Sequence, residues 1–267
     1  PPRSTLFPYT TLFRSSPRKP EYATWESADE FLSTGPDDDL RGIGADFPTV
    51  RRASGKEIKK LQNRGLAVEL DEDEVAGMPD WQQFYTGWLL RMLHRNSLRR
   101  AFAMLSAAAV NTAKTWSTAA GKDPDQDVRS ELVLAADISG IRPNRILYGD
   151  TAWDVRGLSH RAQNTAGGFS SAGMTPEQVA GFLNVQGVHV AGARYAASAA
   201  ATSLSQIVAN KVLMFFATAN ASKEDPSNIK RFTGTVAERH GGGKVAVHLR
   251  QIGDKGWRIA VEKYELA

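Results

Sequence analysis

Residues 81–105 read "WQQFYTGWLLRMLHRNSLRRAFAML". Trp81, Phe84, Tyr85, Trp88, Leu89, Met92, Leu93, Phe102 and Leu105 recur mostly at i, i+3 and i+4, the period of a helix. Arg91, Arg95, Arg99 and Arg100 fall largely on other faces. Pro79-Asp80 supplies a start, and the pattern predicts a helix over residues 79–117. An ordinary globular helix has about 11–12 residues, so this one reads as a structural spine.

Working outward, residues 47–78 read as a hairpin. Leu66, Val68 and Leu70 alternate with Ala67, Glu69 and Asp71, and Asn63-Arg64-Gly65 suits a turn. The hairpin holds few large apolar residues, so it is expected to lie over a neighbour rather than stand alone. Residues 16–46 are polar and contain Asp37-Asp38-Asp39, which predicts an extended arm with one short helical turn near residues 27–32.

Beyond the spine, Asp123-Pro124 caps a second helix that Gly140 ends. "PNRILYG" predicts a buried strand and "DTAWDVRGLSHRA" a third helix. "GGFSSAGM" reads as a loop, and Thr175-Pro176-Glu177-Gln178 starts a fourth helix. "GVHVAGARY" is a strand, and the apolar run "KVLMFFA" predicts a central one. Three strands with glycine turns complete the chain. Hairpin, long helix, α/β block and β segment make an α+β plan of two or three lobes.

The 267 residues suffice for one large domain or two modest ones. No apolar run approaches the ~20 residues of a membrane helix. The absence of Cys excludes disulfides, thiolate metal sites and cysteine nucleophiles. The net charge of +4 permits contact with nucleic acid without arguing for it. The first fifteen residues, "PPRSTLFPYTTLFRS", resemble the translation of a sequencing-adapter oligonucleotide. They are expected to be an artefact, disordered and packed against nothing, with the genuine arm at 16–46 truncated. Without Arg3 and Arg14, 31 basic residues face 29 acidic ones, and the apparent basicity falls.

His94, His160, His189, His240 and His248 form no H-E-x-x-H, and no two share a helix face at i, i+4. Gly168-Phe169-Ser170-Ser171-Ala172 departs from G-x-S-x-G at its last place. Gly243-Lys244 is followed by Val245, not the Ser or Thr of a phosphate loop, so "HGGGK" reads as a hairpin turn. Asp71, Glu72, Asp73 and Glu74 lack the glycine of a calcium loop and read as a solvated, edge-protecting turn. The arginines of the long helix read as a solvated or inter-subunit face. No catalytic, cofactor-binding or metal residue is assigned, and no cofactor is expected.

Several stretches then line up: "LQNRGLAVELDEDEV", "GWLLRMLHRNSLRRAFAMLSAAAVNTAKTW", "AAGKDPDQDVRSEL", "PNRILYGDTAW", "TPEQVAGFLNVQGVHVAGARY" and "KVLMFFA". In order and spacing they resemble a tailed-bacteriophage major capsid protein, over roughly residues 45–267. The resemblance implies the Hong Kong-type phage capsid fold, shared with encapsulin shells. It implies an N-terminal arm at 16–46, an E-loop at 47–78 and a peripheral P domain whose spine helix is 79–117. An A domain would occupy 118–229, and strands 230–267 would return to the P domain. It further implies a non-enzymatic structural protein of the virion, assembled in the bacterial host cytoplasm. Partners would be further copies of itself in hexamers and pentamers, scaffolding, portal and decoration proteins, and packaged double-stranded DNA held without sequence reading. Some relatives cross-link through Lys and Asn, but Lys56, Lys59 and Lys60 match no such motif. The alternatives are an encapsulin-type nanocompartment shell and a small α+β enzyme, which would need converging polar residues in a pocket.

Overall fold

The computed structural model describes the strands Thr11–Arg14, Glu21–Ala23 and Lys56–Ile58, then residues 60–119, 121–198, 200–218, 230–234 and 244–265. In chain order these carry β1 (Thr11–Arg14), β2 (Glu21–Ala23), β3 (Lys56–Ile58), β4 (Gln62–Asp71), α1 (Glu72–Val75) and α2 (Trp81–Ala108). There follow α3 (Pro124–Ser139), β5 (Arg145–Gly149), α4 (Asp150–Ala162), α5 (Ala166–Ala172), α6 (Pro176–Leu183) and β6 (Gly187–Ala191). The short β7 (Arg194–Tyr195) and β8 (Ser205–Gln206) precede β9 (Val212–Phe215), β10 (Lys230–Gly234), β11 (Ala246–Ile252) and β12 (Gly256–Glu265).

Strand β12 organises the larger sheet. It pairs antiparallel with β4 over ten residues, from Gln62↔Glu265 to Asp71↔Gly256, and with β11 on its other side. The expected alternation in β4 holds: Leu66, Val68 and Leu70 turn inward while Ala67, Glu69 and Asp71 are exposed. The turn expected at Asn63-Arg64-Gly65 does not form, because those residues lie inside β4. Gly65 serves close approach instead: a Cβ there would stand 2.7 Å from the Val261 carbonyl oxygen. The segment before it pairs elsewhere, with β3 antiparallel to β2.

The expectation that residues 1–15 pack against nothing is also overturned, for four of them. The backbone of Thr11–Arg14 pairs parallel with residues 230–233. β10 offers an open edge, and Thr-Leu-Phe-Arg is a sequence with strand propensity. The helical turn expected near residues 27–32 and the turn at 240–243 lie outside the described residues.

The smaller sheet has the order β6-β5-β9, with β5 parallel to β6 and antiparallel to β9. All five residues of β5 are buried, since layers cover both its faces. On one side Ile146 and Tyr148 meet Val128 and Leu132 of α3, Ala152 of α4, and Val179 and Leu183 of α6. On the other, Leu147 and Phe215 meet Leu98, Phe102 and Leu105 of α2. β9, expected to be central, is an edge strand, and its apolar run reflects packing on α2. The stretch read as a loop after α4 contains α5, capped by Thr165 accepting from the Gly168 N–H at 3.0 Å. The capping expected at Thr175 is present, with Gln178 completing a reciprocal box.

The long helix ends at Ala108, nine residues before the expected limit. Ala109 is already extended, and Trp116 is drawn into the smaller lobe, its Nε1–H donating to Asp127 at 2.9 Å. Nor is its apolar face one stripe. Leu89, with Trp81 and Tyr85, packs on Leu70, Ile259 and Val261 of the larger sheet, whereas Leu98, Phe102 and Leu105 pack on the smaller one. Nine residues separate Leu89 from Leu98, which at 3.6 residues per turn places them about 180° apart. One helix therefore serves two cores on opposite faces.

Gly149 offers a test of the smaller lobe. A Cβ there would fall 1.7 Å from the Ala209 carbonyl oxygen, which belongs to backbone and cannot step aside cheaply. Gly149→Ala is expected to lower stability by about 3 kcal/mol or more in urea unfolding. Gly181→Ala, on open helical surface, is expected to be neutral or stabilising by up to ~1 kcal/mol.

Candidate functional site

Two buried charge clusters and a set of uncovered apolar faces are the features able to act. The first cluster clamps β12 to α2. Lys263 and Glu265 lie on the covered face of β12, both buried, with Lys263 Nζ 2.6 Å from the Glu265 carboxylate. Arg100 pairs with the same carboxylate, and the Ser97 hydroxyl lies 3.1 Å from it. Burial alone would raise the Glu265 carboxyl, but Lys263 and Arg100 outweigh it and hold the group below its ordinary value. A lowered folded value means the clamp contributes fully above the ordinary Glu value of 4.5 and is lost as pH falls through the folded one. The difference in urea midpoint between wild type and Glu265→Gln is therefore expected to be constant from neutral pH to about 4.5 and to shrink below it.

The second cluster joins α3 to α4 where the strap, residues 109–123, enters the smaller lobe. Asp125 at the start of α3 receives two bonds from Arg156, each 2.6 Å, and its Oδ2 lies 3.0 Å from His160 Nε2. All three side chains are at least 96% buried. Ser159 donates to the Ser117 carbonyl at 2.7 Å and Gln163 to that of Lys122 at 2.8 Å. A His–carboxylate pair can serve a nucleophile, but the adjacent hydroxyl, Ser159, is fully buried and committed to backbone. The arrangement holds the strap. Asp125→Asn would leave Arg156 uncompensated and is expected to cost about 3–5 kcal/mol in chemical unfolding.

The other sequence candidates are scattered. His94 is exposed on α2, and His248 lies 3.2 Å from Glu262 on the larger sheet. His189 is half-buried in β6, where burial and the Arg145 charge push its ring below the ordinary value. Ser170 and Ser171 belong to α5. Asp71–Glu74 is neither calcium loop nor simple turn. Asp71 and Glu74 form a capping box that starts α1, leaving Glu72 and Asp73 outward. Arg99 stacks over the Tyr195 ring at 3.7 Å, while Arg91 and Arg95 are exposed. Among the described residues no group of three His, Cys, Asp or Glu could hold a metal ion, and no helix is long and apolar enough to cross a membrane. Sequence reasoning missed the Asp125–Arg156–His160 staple. Arg156 and His160 stand at i, i+4, but Asp125 is 31 residues before Arg156 and gives no local signal.

The surfaces are more distinctive. Phe84 and Trp88 on α2, Leu134 and Ile138 on α3, Phe169 on α5, Phe182 on α6, and Val247 and Leu249 on β11 are all 40–63% exposed. They lie on separate elements of both lobes. Between the strap, α3 and the edge strand β9 runs a cleft of about 710 Å³, lined by Leu105, Val110, Leu134, Ile138, Val212 and Met214.

No protein-family model matches the chain, and no curated protein does. Solved structures do. A phage-related protein from Bordetella bronchiseptica RB50 is 18% identical with a TM-score of 0.60, the match covering 98% of this chain and 85% of that one. A protein of Mycobacterium phage Ogopogo is 14% identical with a TM-score of 0.50, over 98% and 87%. A chain from the mature capsid of bacteriophage PhiM1 is 11% identical with a TM-score of 0.49, over 96% and 81%. Across nearly its whole length, therefore, this chain shares the mixed helix-and-sheet fold of the phage-related protein and of the Mycobacterium phage chain.

Proposed function

We propose that the chain is the major capsid protein of a tailed phage or prophage, a structural protein that self-assembles into an icosahedral shell around double-stranded DNA. The observation that carries this reading is the spread of uncovered apolar side chains. Single exposed apolar residues are ordinary, but here large ones stand on α2, α3, α5, α6 and β11 at once. A binding module would gather them on one face. A subunit surrounded by copies of itself needs several modest faces, because heterologous contacts repeat until the shell closes and many act together.

In this reading β4 belongs to the E-loop, α2 is the spine of the P domain, and the β6-β5-β9 lobe is the A domain. The buried charge clusters are structural: one fixes the spine to the returning strand, the other fixes the strap between lobes. DNA would be held by charge alone, and so in a salt-sensitive way. Scaffolding, portal and decoration proteins would complete the virion.

Size fractionation and electron microscopy of the expressed chain test the proposal. Closed particles of uniform diameter are expected, with double-stranded DNA in those recovered from phage-producing cells. Soluble monomers only, even beside its phage partners, would overturn it. Particles filled with a protein cargo and free of DNA would favour a nanocompartment.

A further inference from the structure

The face of α2 that the larger sheet leaves bare has a specific composition. Phe84 and Trp88 are 57% and 40% exposed, and Arg91 and Arg95 are exposed beside them. At 3.6 residues per turn the four side chains fall within about 60° of one another, a single stripe about 17 Å long. The same sector holds Leu98 and Phe102 further along, where the smaller lobe covers it. The stripe is thus the uncovered continuation of a buried one. Among the described residues no hydrogen bond or ion pair engages Arg91 or Arg95.

The chain also carries the complement. α1 presents Glu72 and Asp73 to solvent, since Asp71 and Glu74 are occupied in capping the helix. Val75 anchors this element in the core of the larger sheet, so its acids are held in place. Among the described residues no ion pair joins Glu72 or Asp73 to Arg91 or Arg95 of the same chain, and those arginines stand ten and fourteen residues into α2 from Trp81, about 15 and 21 Å along its axis.

We propose that the stripe Phe84-Trp88-Arg91-Arg95 seats the α1 tip of a second copy, with Glu72 and Asp73 facing Arg91 and Arg95. This rests on the self-assembly reading above and names one of its contacts. Two free arginines meet two free carboxylates, and the aromatic pair beside them supplies the apolar area that charges alone lack. The contact joins two different patches, so it runs head to tail and propagates from copy to copy.

The absence of Cys makes a direct test available. Glu72→Cys with Arg95→Cys in one chain places the two thiols on opposite sides of the contact. Mild oxidation of the assembled double variant is expected to give a ladder of covalent oligomers that reductant collapses, while each single variant stays monomeric on a denaturing gel. Particles that assemble normally yet give no ladder would overturn this contact and leave the shell reading standing. A wild-type chain that forms no particles would overturn both. A disulfide closed within one chain, or dimers from a single-cysteine variant, would also contradict the head-to-tail seat. So would Arg91→Glu with Arg95→Glu if particles assemble unchanged but lose their nucleic acid, which would assign the stripe to DNA.

Discussion

The structure depends on one helix being shared by two cores. α2 buries Leu89, flanked by Trp81 and Tyr85, under the larger sheet and, half a turn round, Leu98, Phe102 and Leu105 against the smaller one. Neither sheet could keep its place relative to the other without that beam. The changeover falls near Ser97, where Lys263, Glu265 and Arg100 converge from β12 and α2. A charged clamp suits that point, because the helix has no continuous apolar face there to offer either sheet.

This sharing has consequences at the surface. A helix that turns its apolar stripe from one side to the other leaves each half with a bare flank, and on the first half that flank carries Phe84 and Trp88. The strap beyond it, pinned by Trp116 and Ser117, fixes how the smaller lobe follows. Under the proposed self-assembly, a subunit needs such rigidity between its contact faces. If the lobes rocked freely, the rotation from copy to copy would vary and the assembly would not close.

Much of this was legible in the sequence where the physics is local. The alternation of Leu66, Val68 and Leu70, the caps at Asp123 and Thr175, and the buried run of β5 each follow from a few neighbouring residues. The order of segments was enough for the fold class. What failed depends on distant partners. Gly65 looks like a turn residue until Val261 is known to lie against it. Phe102 and Leu105 stand roughly half a turn round from Leu89 by spacing alone, but what covers them is known only once the second sheet is in place. The end of α2 is set by the docking of Trp116 near α3, and the Asp125–Arg156–His160 staple is assembled from two separated helices. The exposure of Phe169, Phe182 and Val247 carries no local signal either, because it is set by which elements cover α5, α6 and β11.

The central claim is that α2 couples the two lobes into one unit. Hydrogen exchange across α2, read together with calorimetry on dissociated subunits, tests it most directly. The account predicts one cooperative melting transition, with amides near Leu89 and near Phe102 exchanging at the same opening free energy as β5 and β12. Two separate transitions, with one half of the helix opening while the other stays protected, would contradict it.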